Sequence, residues 1–551
     1  MSPTGSRTGW RMSRREAVLS GLVVVAAALT VRLWAASQIT FAAPEDTAYY
    51  VAVAEHLLNG RGLVSDAMWT YATPPLVYPR PAFEIWLPLP TFLAAIPMVL
   101  LGQTFAAAQW SSILVGAAVP LLAWRLAADV AAERGLTPGR ARSVALGTGL
   151  TSAVYLPLVL HSALPDSTMP FAALALAACL VMGRLTTSPT PPGAAALAGL
   201  GLLMGLAALA RNEAAWLALA WLVLVWRRPV PLAEKVRQVG LTALVAVAAF
   251  APWAIRNWIA FGNPLPGQAL SNALSLEGRD IFAWQEKPTL ARYLAAGPSV
   301  WVGSRIVGIG HNVINVLLVF GVPMSLLGML ALPRTLRSGV LRPLIIVSGL
   351  TFAAASLLFP VATTWGTFLH AAGPVHVLLI ISCLLALDDG IAWLGRRRQW
   401  TRPVAWLGPI LGLFAGILFT AVLLPSFGAD GRLTAAKYAH LRTVVAELGS
   451  AGGVTGPIIS DFPIWVAEEL GVRSLALPNE PPASVLDLAS RFPGTGLLIV
   501  DAGINGGRWP AILDERGPGS ECFQPIPMPE PADPLSKRAV EETRLYRVAC
   551  P

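Results

Sequence analysis

Residues 17–36 read AVLSGLVVVAAALTVRLWAA, an apolar run long enough to cross a bilayer as a single helix. Four arginines precede this run: Arg7, Arg11, Arg14 and Arg15. Because basic residues are retained on the cytoplasmic side of a membrane, we predict a first transmembrane helix with a cytoplasmic N-terminus. A cleaved signal peptide is the alternative. The residues that follow, about 41–103, are then expected to form an extracytoplasmic loop.

Apolar runs of this kind recur along most of the chain. Hydrophobic residues make up 55% of the 551 residues and charged residues only 13%, whereas soluble proteins carry about 25% charged residues. This composition excludes a soluble enzyme, and the long apolar blocks exclude a disordered or fibrous chain. We therefore predict a polytopic α-helical membrane protein with about 11 transmembrane helices, in a range of about 10–13. The predicted spans are roughly 17–36, 104–124, 144–160, 167–183, 194–210, 213–226, 238–255, 305–331, 343–360, 371–388 and 404–424.

The net charge of +9 comes from basic residues in short segments between these runs. The positive-inside rule places such segments in the cytoplasm, so membrane orientation explains the charge and no nucleic-acid partner is expected. One assumption puts all the short basic loops on one side: residues 84–102, which contain Pro88, Pro90 and Pro97, lie in the interface or re-enter instead of crossing. Only four of the 40 basic residues are lysines, which fits a GC-rich bacterial genome and a bacterial plasma membrane.

The odd number of spans places the C-terminal segment on the extracytoplasmic side. We divide the chain into a transmembrane domain, 1–429, with a second extracytoplasmic loop at about 256–303, and an extracytoplasmic soluble domain, 430–551. In the soluble domain, short strands alternate with helices, a pattern typical of a small α/β domain. The predicted strands are Pro457–Ser460, Val472–Ala476 and Leu497–Val500, and the predicted helices are Arg432–Leu448, Ile464–Leu470 and Ala483–Phe492.

The four cysteines are Cys179, Cys383, Cys522 and Cys550. None has a C-x-x-C or Cys/His spacing, so the sequence indicates neither a zinc framework nor a redox framework. Cys522 and Cys550 both belong to the segment predicted to lie outside, where an oxidising compartment would allow them to form one disulfide.

The predicted spans contain almost no ionisable groups, which a transporter or pump needs near the middle of the membrane. His311 is the main exception. Four other polar residues fall at predicted extracytoplasmic ends of spans: Asp166, Arg211, Arg256 and His370. This distribution favours chemistry at the outer face of the membrane over transport through it.

The first loop contains the string PEDTAYY at 44–50, which leads into an amphipathic stretch that Asn59 and Gly60 end. One interpretation of Asp46 is a helix N-cap. The other is a general base, a carboxylate at the membrane rim that takes a proton from an acceptor hydroxyl. The two interpretations are compatible, because a cap would hold the carboxylate in place.

The acidic string and four others, in order along nearly the whole chain, resemble motifs of the GT-C glycosyltransferases. The similarity is to the branch of protein O-mannosyltransferases and aminoarabinose (lipid A) transferases, in which an acidic motif such as EDTAYY at 45–50 follows the first transmembrane helix. A C-terminal α/β domain after the last span also fits this family. The further elements are YPRP at 78–81, LPDS at 164–167, LARNE at 209–213, and PWAIRNW at 252–258 followed by FGNP at 261–264.

The resemblance implies an inverting transfer of a sugar from a polyprenyl-phosphate donor, amid membrane lipids, to an acceptor hydroxyl on the extracytoplasmic face. It implies Asp46 as the catalytic base and Asp166 as a second site carboxylate. Arg80, Arg211 and Arg256 would hold the donor phosphate, since a guanidinium stabilises the charge that a leaving phosphate gains. The sequence chooses neither the sugar nor the acceptor, which could be protein, glycan or lipid.

Three features depart from the family pattern. Glu45 precedes Asp46 and no aspartate follows at the next two positions, so either carboxylate could be the base. His370 stands near the place of a missing Arg-Tyr pair and is a candidate phosphate or sugar contact. A divalent cation, Mg²⁺ or Mn²⁺, is a candidate cofactor with Asp46, Asp166 and Glu84 as candidate ligands, but isolated carboxylates do not specify a metal.

Plainer alternatives exist for the basic residues and for the function. Arg211 and Arg256 could be interface anchors, Arg80 a solvated loop charge, and His370 a structural histidine at a helix end. Two other functions stay open: a flippase or transporter of a lipid or sugar-lipid, and a non-catalytic protein of cell-envelope assembly.

Overall fold

The computed structural model describes residues 12–400, 404–450, 456–502, 504 and 507–550, so Arg7 and Arg11 lie outside it. Most of the described chain is helical. The helices are α1 Arg14–Gln38, α2 Glu45–Leu58, α3 Leu89–Leu101, α4 Phe105–Glu133, α5 Pro138–Val154, α6 Leu156–Leu160, α7 Thr168–Thr187, α8 Ala194–Ala210, α9 Ala215–Trp226, α10 Leu232–Phe261, α11 Ala269–Leu274, α12 Leu290–Gly310, α13 Met324–Thr335, α14 Arg342–Ala353, α15 Thr367–Ala371, α16 Gly373–Arg397, α17 Leu407–Ser450, α18 Pro463–Leu470, α19 Pro482–Arg491 and α20 Pro534–Ala539. Two π-helical segments, His311–Val319 and Ala354–Leu358, continue α12 and α14.

Seven of the described helices are long and apolar enough to cross a membrane: α1, α4, α7, α10, α12 with its π-helical continuation, α16 and α17. The bent pair of α5 and Leu156–Ala163 makes up to eight. The polytopic helical class is therefore confirmed. The number of about eleven spans stays a prediction, because it requires shorter helices to cross as well. The shorter apolar helices are Leu89–Leu101, Ala194–Ala210, Asn212–Trp226 and Arg342–Leu358.

A bend of 57° separates α5 from the chain that follows it. Pro157 has no backbone N–H and cannot satisfy the carbonyl of Ala153 one turn earlier. The buried Arg32 of α1 takes this place, with its Nη1 3.1 Å from the Ala153 carbonyl oxygen. The Thr420 hydroxyl donates to the next carbonyl, that of Val154, at 2.6 Å. Side chains from two other helices thus stabilise the bend.

The predicted span 305–331 is wrong as a single helix. Within α12 the backbone leaves the helical conformation at Gly297 (φ 80°), directly before Pro298. The π-helical part ends at Val319, and α13 starts only at Met324. On the other side, α10 continues to Phe261, where Gly262 ends it with a left-handed φ of 68°. The segment between α10 and α12 is 262–289, and the break at Gly297 separates the first turns of α12 from the rest of that helix. The predicted loop at about 256–303 stays a prediction.

The structure contains a six-stranded sheet with the order β2-β5-β4-β6-β8-β7. The first four strands in this order are parallel and the last two pairings are antiparallel. A separate pair, β1 and β3, lies within the first loop. The strands are β1 Val64–Ser65, β2 Ala67–Met68, β3 Arg80–Pro81, β4 Ile458–Ser460, β5 Ser474–Ala476, β6 Leu497–Asp501, β7 Phe523–Ile526 and β8 Thr543–Val548.

The three predicted strands of the C-terminal domain correspond to β4, β5 and β6, and the two predicted helices between them to α18 and α19. The edge strand β2 was not predicted, and it comes from the first loop. The long helix α17 runs without a break through residue 429, where we placed the domain boundary. Cys522 and Cys550 form a disulfide, with their Cα atoms 5.1 Å apart. The C-terminal domain is therefore an α/β unit that includes two residues of the first loop in its sheet.

Candidate active site

Helix α2 places Asp46 in its first turn, directly after the first transmembrane helix. Pro44 is the N-cap residue, so the prediction that Asp46 is the N-cap is wrong. One carboxylate oxygen of Asp46 accepts the N–H of Thr47 at 2.9 Å. The other lies 3.2 Å from Nε2 of His370, and the Asp46 side chain is only 14% exposed. The carboxylate is thus oriented by the helix start and by a histidine from a distant part of the chain.

Asp166 lies in the turn between the bent segment and α7, on the other side of the same histidine. Its Oδ1 accepts the backbone N–H of Thr168 at 2.8 Å. Its Oδ2 is 2.9 Å from Nδ1 of His161 and 3.6 Å from Nδ1 of His370. The Asp166 side chain is fully buried. His370 therefore connects two carboxylates, and we call Asp46, His161, Asp166 and His370 the acid–histidine cluster.

Arg211 follows α8 and lies at the edge of this cluster. Its Nη1 donates to the Ser167 hydroxyl at 2.9 Å, and its Nη2 donates to the Thr367 carbonyl at 3.2 Å. It also forms a two-point ion pair with Glu213, at 2.8 and 3.1 Å. Ser167 and Thr367 are close neighbours of Asp166 and His370 in the sequence. The guanidinium is consequently fixed beside the two turns that carry the cluster.

The two carboxyls of the cluster have pKa values shifted in opposite directions. Burial raises the pKa of Asp46, and although the His370 imidazole lowers it in part, the net direction is upward. Burial also raises the pKa of Asp166, but the nearby His161 and His370 outweigh burial and bring it well below its usual range. The two carboxyls therefore differ in pKa, and Asp46 is the more basic of the two.

Three members of the cluster have a geometry suited to a divalent cation. One potential ligand atom from each of His161, Asp166 and His370 lies within 4.8 Å of the others. The buried Nε2 of His161 has no hydrogen-bond partner among the residues described. Two imidazoles with a carboxylate suit Zn²⁺ or Mn²⁺ better than Mg²⁺, which prefers oxygen ligands. The residues present therefore fit a metal, with Asp46 in contact with one candidate ligand.

Arg80, a predicted donor-phosphate contact, and Glu84, a predicted metal ligand, pair with each other in the first loop. Nε of Arg80 is 2.8 Å from Glu84, and the Arg80 side chain is 1% exposed. Its other nitrogens donate to the carbonyls of Pro75 and Thr73 at 3.0 and 2.9 Å. These contacts use the guanidinium to hold the loop together, so we leave Arg80 and Glu84 out of the candidate site.

Arg256 of α10 also binds the first loop. It donates to the carbonyls of Ala82 and Leu63 at 2.8 and 3.2 Å. The guanidinium lies over the rings of Trp253 and Phe261, 4.9 and 5.4 Å from their centroids. Its contacts connect α10 to the chain around β1 and β3, and we leave it out of the candidate site as well.

Glu45 precedes Asp46 in α2 but its side chain contacts the C-terminal domain. One carboxylate oxygen accepts the backbone N–H groups of Ile464 and Trp465, at 2.9 and 3.4 Å. Burial raises the pKa of Glu45 to about 8. Among the hydrogen bonds and ion pairs of the described chain, Asp46 contacts His370, whereas Glu45 contacts none of the other cluster residues.

Several solved structures are similar to this chain in their architecture. The oligosaccharyltransferase AglB from Archaeoglobus fulgidus, in complex with an inhibitory peptide and a dolichol-phosphate, aligns with a TM-score of 0.55 at 12% identity, over 92% of this chain and 72% of that one. The same organism's oligosaccharyltransferase in complex with Zn and sulfate aligns with a TM-score of 0.53 at 12% identity, over 92% and 71%. ArnT from Cupriavidus metallidurans bound to undecaprenyl phosphate aligns with a TM-score of 0.50 at 14% identity, over 96% and 97%. These are glycosyltransferases of the GT-C superfamily. The chain has the GT-C fold.

The GT-C resemblance in the sequence is thereby confirmed at the level of the fold. No family model matches the sequence, and no curated protein matches it either. At 12–14% identity the likeness shows the fold, so the chemistry of the site has to be argued from its own residues. Within the GT-C fold of this chain, the acid–histidine cluster lies where the first turn of α2 meets the turn before α7 and the short helix α15.

His161 was not among the site residues predicted from the sequence. Its signal was present, because His161 is five residues before Asp166 and precedes the LPDS string that was singled out. A short 3₁₀ turn, His161–Ala163, folds the chain back so that the imidazole reaches the carboxylate. A histidine five residues from a candidate carboxylate can be proposed as a metal ligand from the sequence alone.

Proposed function

We propose that this protein is an inverting glycosyltransferase that moves a sugar from a polyprenyl-phosphate donor to an acceptor hydroxyl on the extracytoplasmic face of a membrane. The observation that carries the proposal is the contact of Asp46 with His370, which joins an acid in the first loop to Asp166 and places both beside Arg211. A carboxylate with a raised pKa next to a fixed guanidinium supplies the two groups that this reaction needs.

Asp46 accepts the proton of the acceptor hydroxyl. The hydroxyl oxygen forms the new bond to the anomeric carbon, from the face opposite the leaving group. At the same time, the bond between the anomeric carbon and the phosphate oxygen breaks, and its electron pair stays on the phosphate. The upward pKa shift of Asp46 improves it as a base, and its small exposed fraction keeps bulk water from competing with the acceptor.

Arg211 is the group that meets the charge on the leaving polyprenyl phosphate. Its hydrogen bonds to Ser167 and Thr367 fix the guanidinium before the donor arrives, so little reorganisation is needed during the reaction. His370 places a second donor nitrogen between the two carboxylates. A divalent cation held by His161, Asp166 and His370 would supply further positive charge toward the phosphate oxygens.

The solved neighbours support the substrate class. The AglB complex contains a dolichol-phosphate and an inhibitory peptide, and the ArnT complex contains undecaprenyl phosphate. For this chain we propose a sugar attached to a polyprenyl phosphate as donor and a protein, glycan or lipid hydroxyl as acceptor. The Cys522–Cys550 disulfide supports placing the C-terminal domain in an oxidising compartment, with the chain in a bacterial plasma membrane and its N-terminus in the cytoplasm.

A donor-turnover assay tests the proposal. The purified protein in nanodiscs is incubated with polyprenyl-phosphate sugars and a mixture of envelope glycans, peptides and lipids, and free polyprenyl phosphate is measured. We expect release of polyprenyl phosphate that requires an acceptor. Movement of the intact donor across proteoliposomes without cleavage would instead show a flippase. Absence of both cleavage and transport over a broad donor panel would point to a non-catalytic assembly protein.

A further inference from the structure

Glu45 and Asp46 are neighbours in one helical turn, yet they engage different domains. Consecutive residues of an α-helix point about 100° apart, so the two carboxylates cannot both face the cluster. Asp46 contacts His370, whereas Glu45 accepts two N–H groups from the first turn of α18. The residue that contacts the C-terminal domain, Glu45, is therefore the direct sequence neighbour of the proposed base, Asp46.

A second contact holds the same stretch of chain. The indole Nε1 of Trp465 donates to the carbonyl of Ala42 at 2.9 Å. The Trp465 ring packs against Phe41, with ring centroids 6.5 Å apart, and against Tyr438 and Phe462, at 5.7 and 5.0 Å. Helix α18 thus hydrogen-bonds to Ala42 and to Glu45, in the stretch immediately before Asp46.

Helix α18 is itself fixed to the sheet. The Ser474 hydroxyl of β5 donates to the Pro463 carbonyl at 2.5 Å, at the start of α18. Strand β5 in turn pairs with β2 of the first loop. The chain after α2 therefore reaches the sheet through β2, and the start of α2 contacts the same domain through α18. This closed set of contacts restricts how far the first turn of α2 can move.

We propose that the C-terminal domain positions the catalytic base, and that Glu45 is the positioning residue through which it acts. This inference rests on the proposed function, in which Asp46 is the base. An error of about 1 Å in the placement of a catalytic group lowers the rate about 100-fold, so a clamp next to the base has a large effect on turnover. Glu45 itself touches no reacting atom.

Kinetics of three variants test this inference. Glu45→Ala removes the acceptor of the Ile464 and Trp465 N–H groups, and we expect kcat to fall at least about 10-fold with an unchanged KM for the donor. Glu45→Gln keeps an amide oxygen in the same place, and we expect its kcat within about threefold of wild type. Tyr78→Phe is the matched control, because it also removes a bond between the first loop and the sheet, from the Tyr78 hydroxyl to the Ser474 carbonyl.

The three rates separate the explanations. If Glu45→Gln is as inactive as Glu45→Ala, the carboxylate acts chemically and the positioning role is wrong. If Tyr78→Phe loses as much kcat as Glu45→Ala, any weakening of domain docking lowers the rate and Glu45 has no special part. Retained kcat in Glu45→Ala would also overturn the inference.

Hydrogen exchange provides a readout that does not depend on enzymatic activity. We expect Glu45→Ala to raise the exchange rate of peptides covering 41–50 and 463–470, and Glu45→Gln to leave both near the wild-type rate. If wild type shows no transferase activity but exchange changes as expected, the proposed function fails while the clamp stands. If exchange in Glu45→Ala equals that of wild type, the clamp is wrong whatever the activity.

Discussion

Nε2 of His370 lies 3.2 Å from the carboxylate of Asp46, and the opposite ring nitrogen lies 3.6 Å from the carboxylate of Asp166. Thr168 also contacts that nitrogen through its hydroxyl, at 2.8 Å. One imidazole therefore connects an acid of the first loop with an acid of the turn before α7. We expect His370→Gln to lower kcat about 100-fold, because it removes the imidazole that connects the two carboxylates.

The control for this variant is His311→Gln. His311 lies in the π-helical segment, where its Nδ1 is 3.0 Å from the amide nitrogen of Asn315. Steady-state transfer rates with a defined donor measure both variants. Equal losses in the two variants would contradict a specific role for His370.

The candidate metal ligands give a second prediction. We expect metal analysis of the purified protein to find about one divalent cation per chain, and His161→Ala or Asp166→Ala to lose it. Zn²⁺ or Mn²⁺ should bind more tightly than Mg²⁺, because two of the three candidate ligands are imidazoles. Glu84→Gln should keep the metal, since Glu84 pairs with Arg80. Loss of metal in Glu84→Gln with full retention in His161→Ala would show that the wrong ligands were chosen.

Arg211 is predicted to bind the leaving phosphate. Arg211→Met should lower kcat/KM for the donor about 100-fold, and Arg211→Lys should restore part of it, since lysine keeps the charge but not the forked hydrogen bonds. Affinity for the product polyprenyl phosphate, measured by titration, should fall in parallel. Unchanged product affinity in Arg211→Met would argue against a phosphate contact.

Arg80 is predicted to affect stability and not donor binding. Arg80→Met leaves Glu84 buried without its partner, which typically costs about 3–5 kcal/mol. We expect a lower thermal unfolding midpoint and less folded protein, while the folded fraction keeps its affinity for polyprenyl phosphate. A variant of normal stability that has lost phosphate affinity would return Arg80 to the donor site.

A pH-dependent stability is expected at the contact of α18 with α2. Burial, with Glu55 and Asp66 nearby, raises the pKa of Glu468 to about 8, although Arg61 lowers it in part and Glu469 adds to the rise. The protonated carboxyl is favoured in the folded state, so its contribution to stability is complete below the ordinary pKa of 4.5 and is lost as pH rises through about 8. Thermal unfolding at pH 6 and pH 9 should therefore show a smaller loss in Glu468→Gln than in wild type.

The control for the pH experiment is Glu447→Gln, at an exposed glutamate of α17. This variant should keep the wild-type pH dependence. If Glu468→Gln and wild type lose the same stability between the two pH values, Glu468 does not titrate in this range.

Much of the membrane domain could be predicted from the sequence, since apolar runs and the arginine-rich loops between them indicate membrane-spanning helices. The positions where those helices bend could not be predicted. The bend after α5 depends on Arg32 and Thr420, which donate to the carbonyls of Ala153 and Val154 at the break, and no local pattern reveals those partners. The continuous helix across residue 429 and the recruitment of β2 are likewise tertiary effects, because a two-residue strand has no sequence signal of its own.

The candidate site was predictable in part for a similar reason. The family motifs selected Asp46, Asp166 and Arg211, and the position of the missing Arg-Tyr pair selected His370. The structure brings these four residues together. The same motifs selected Glu45, Arg80 and Arg256, which face other partners. Helix geometry alone separates Glu45 from Asp46, whereas the pairing of Arg80 with Glu84 depends on the folded path of the loop.

The most direct test of the account is the transfer rate of Asp46→Asn with a defined polyprenyl-phosphate sugar. Asparagine keeps the size of the side chain but cannot take the acceptor proton, and general-base catalysis contributes about 10²–10⁴-fold. We predict a loss of that size with unchanged membrane insertion and metal content, and wild-type transfer in Asp430→Asn, at an exposed aspartate of α17. Full transfer activity in Asp46→Asn would contradict the assignment of the base.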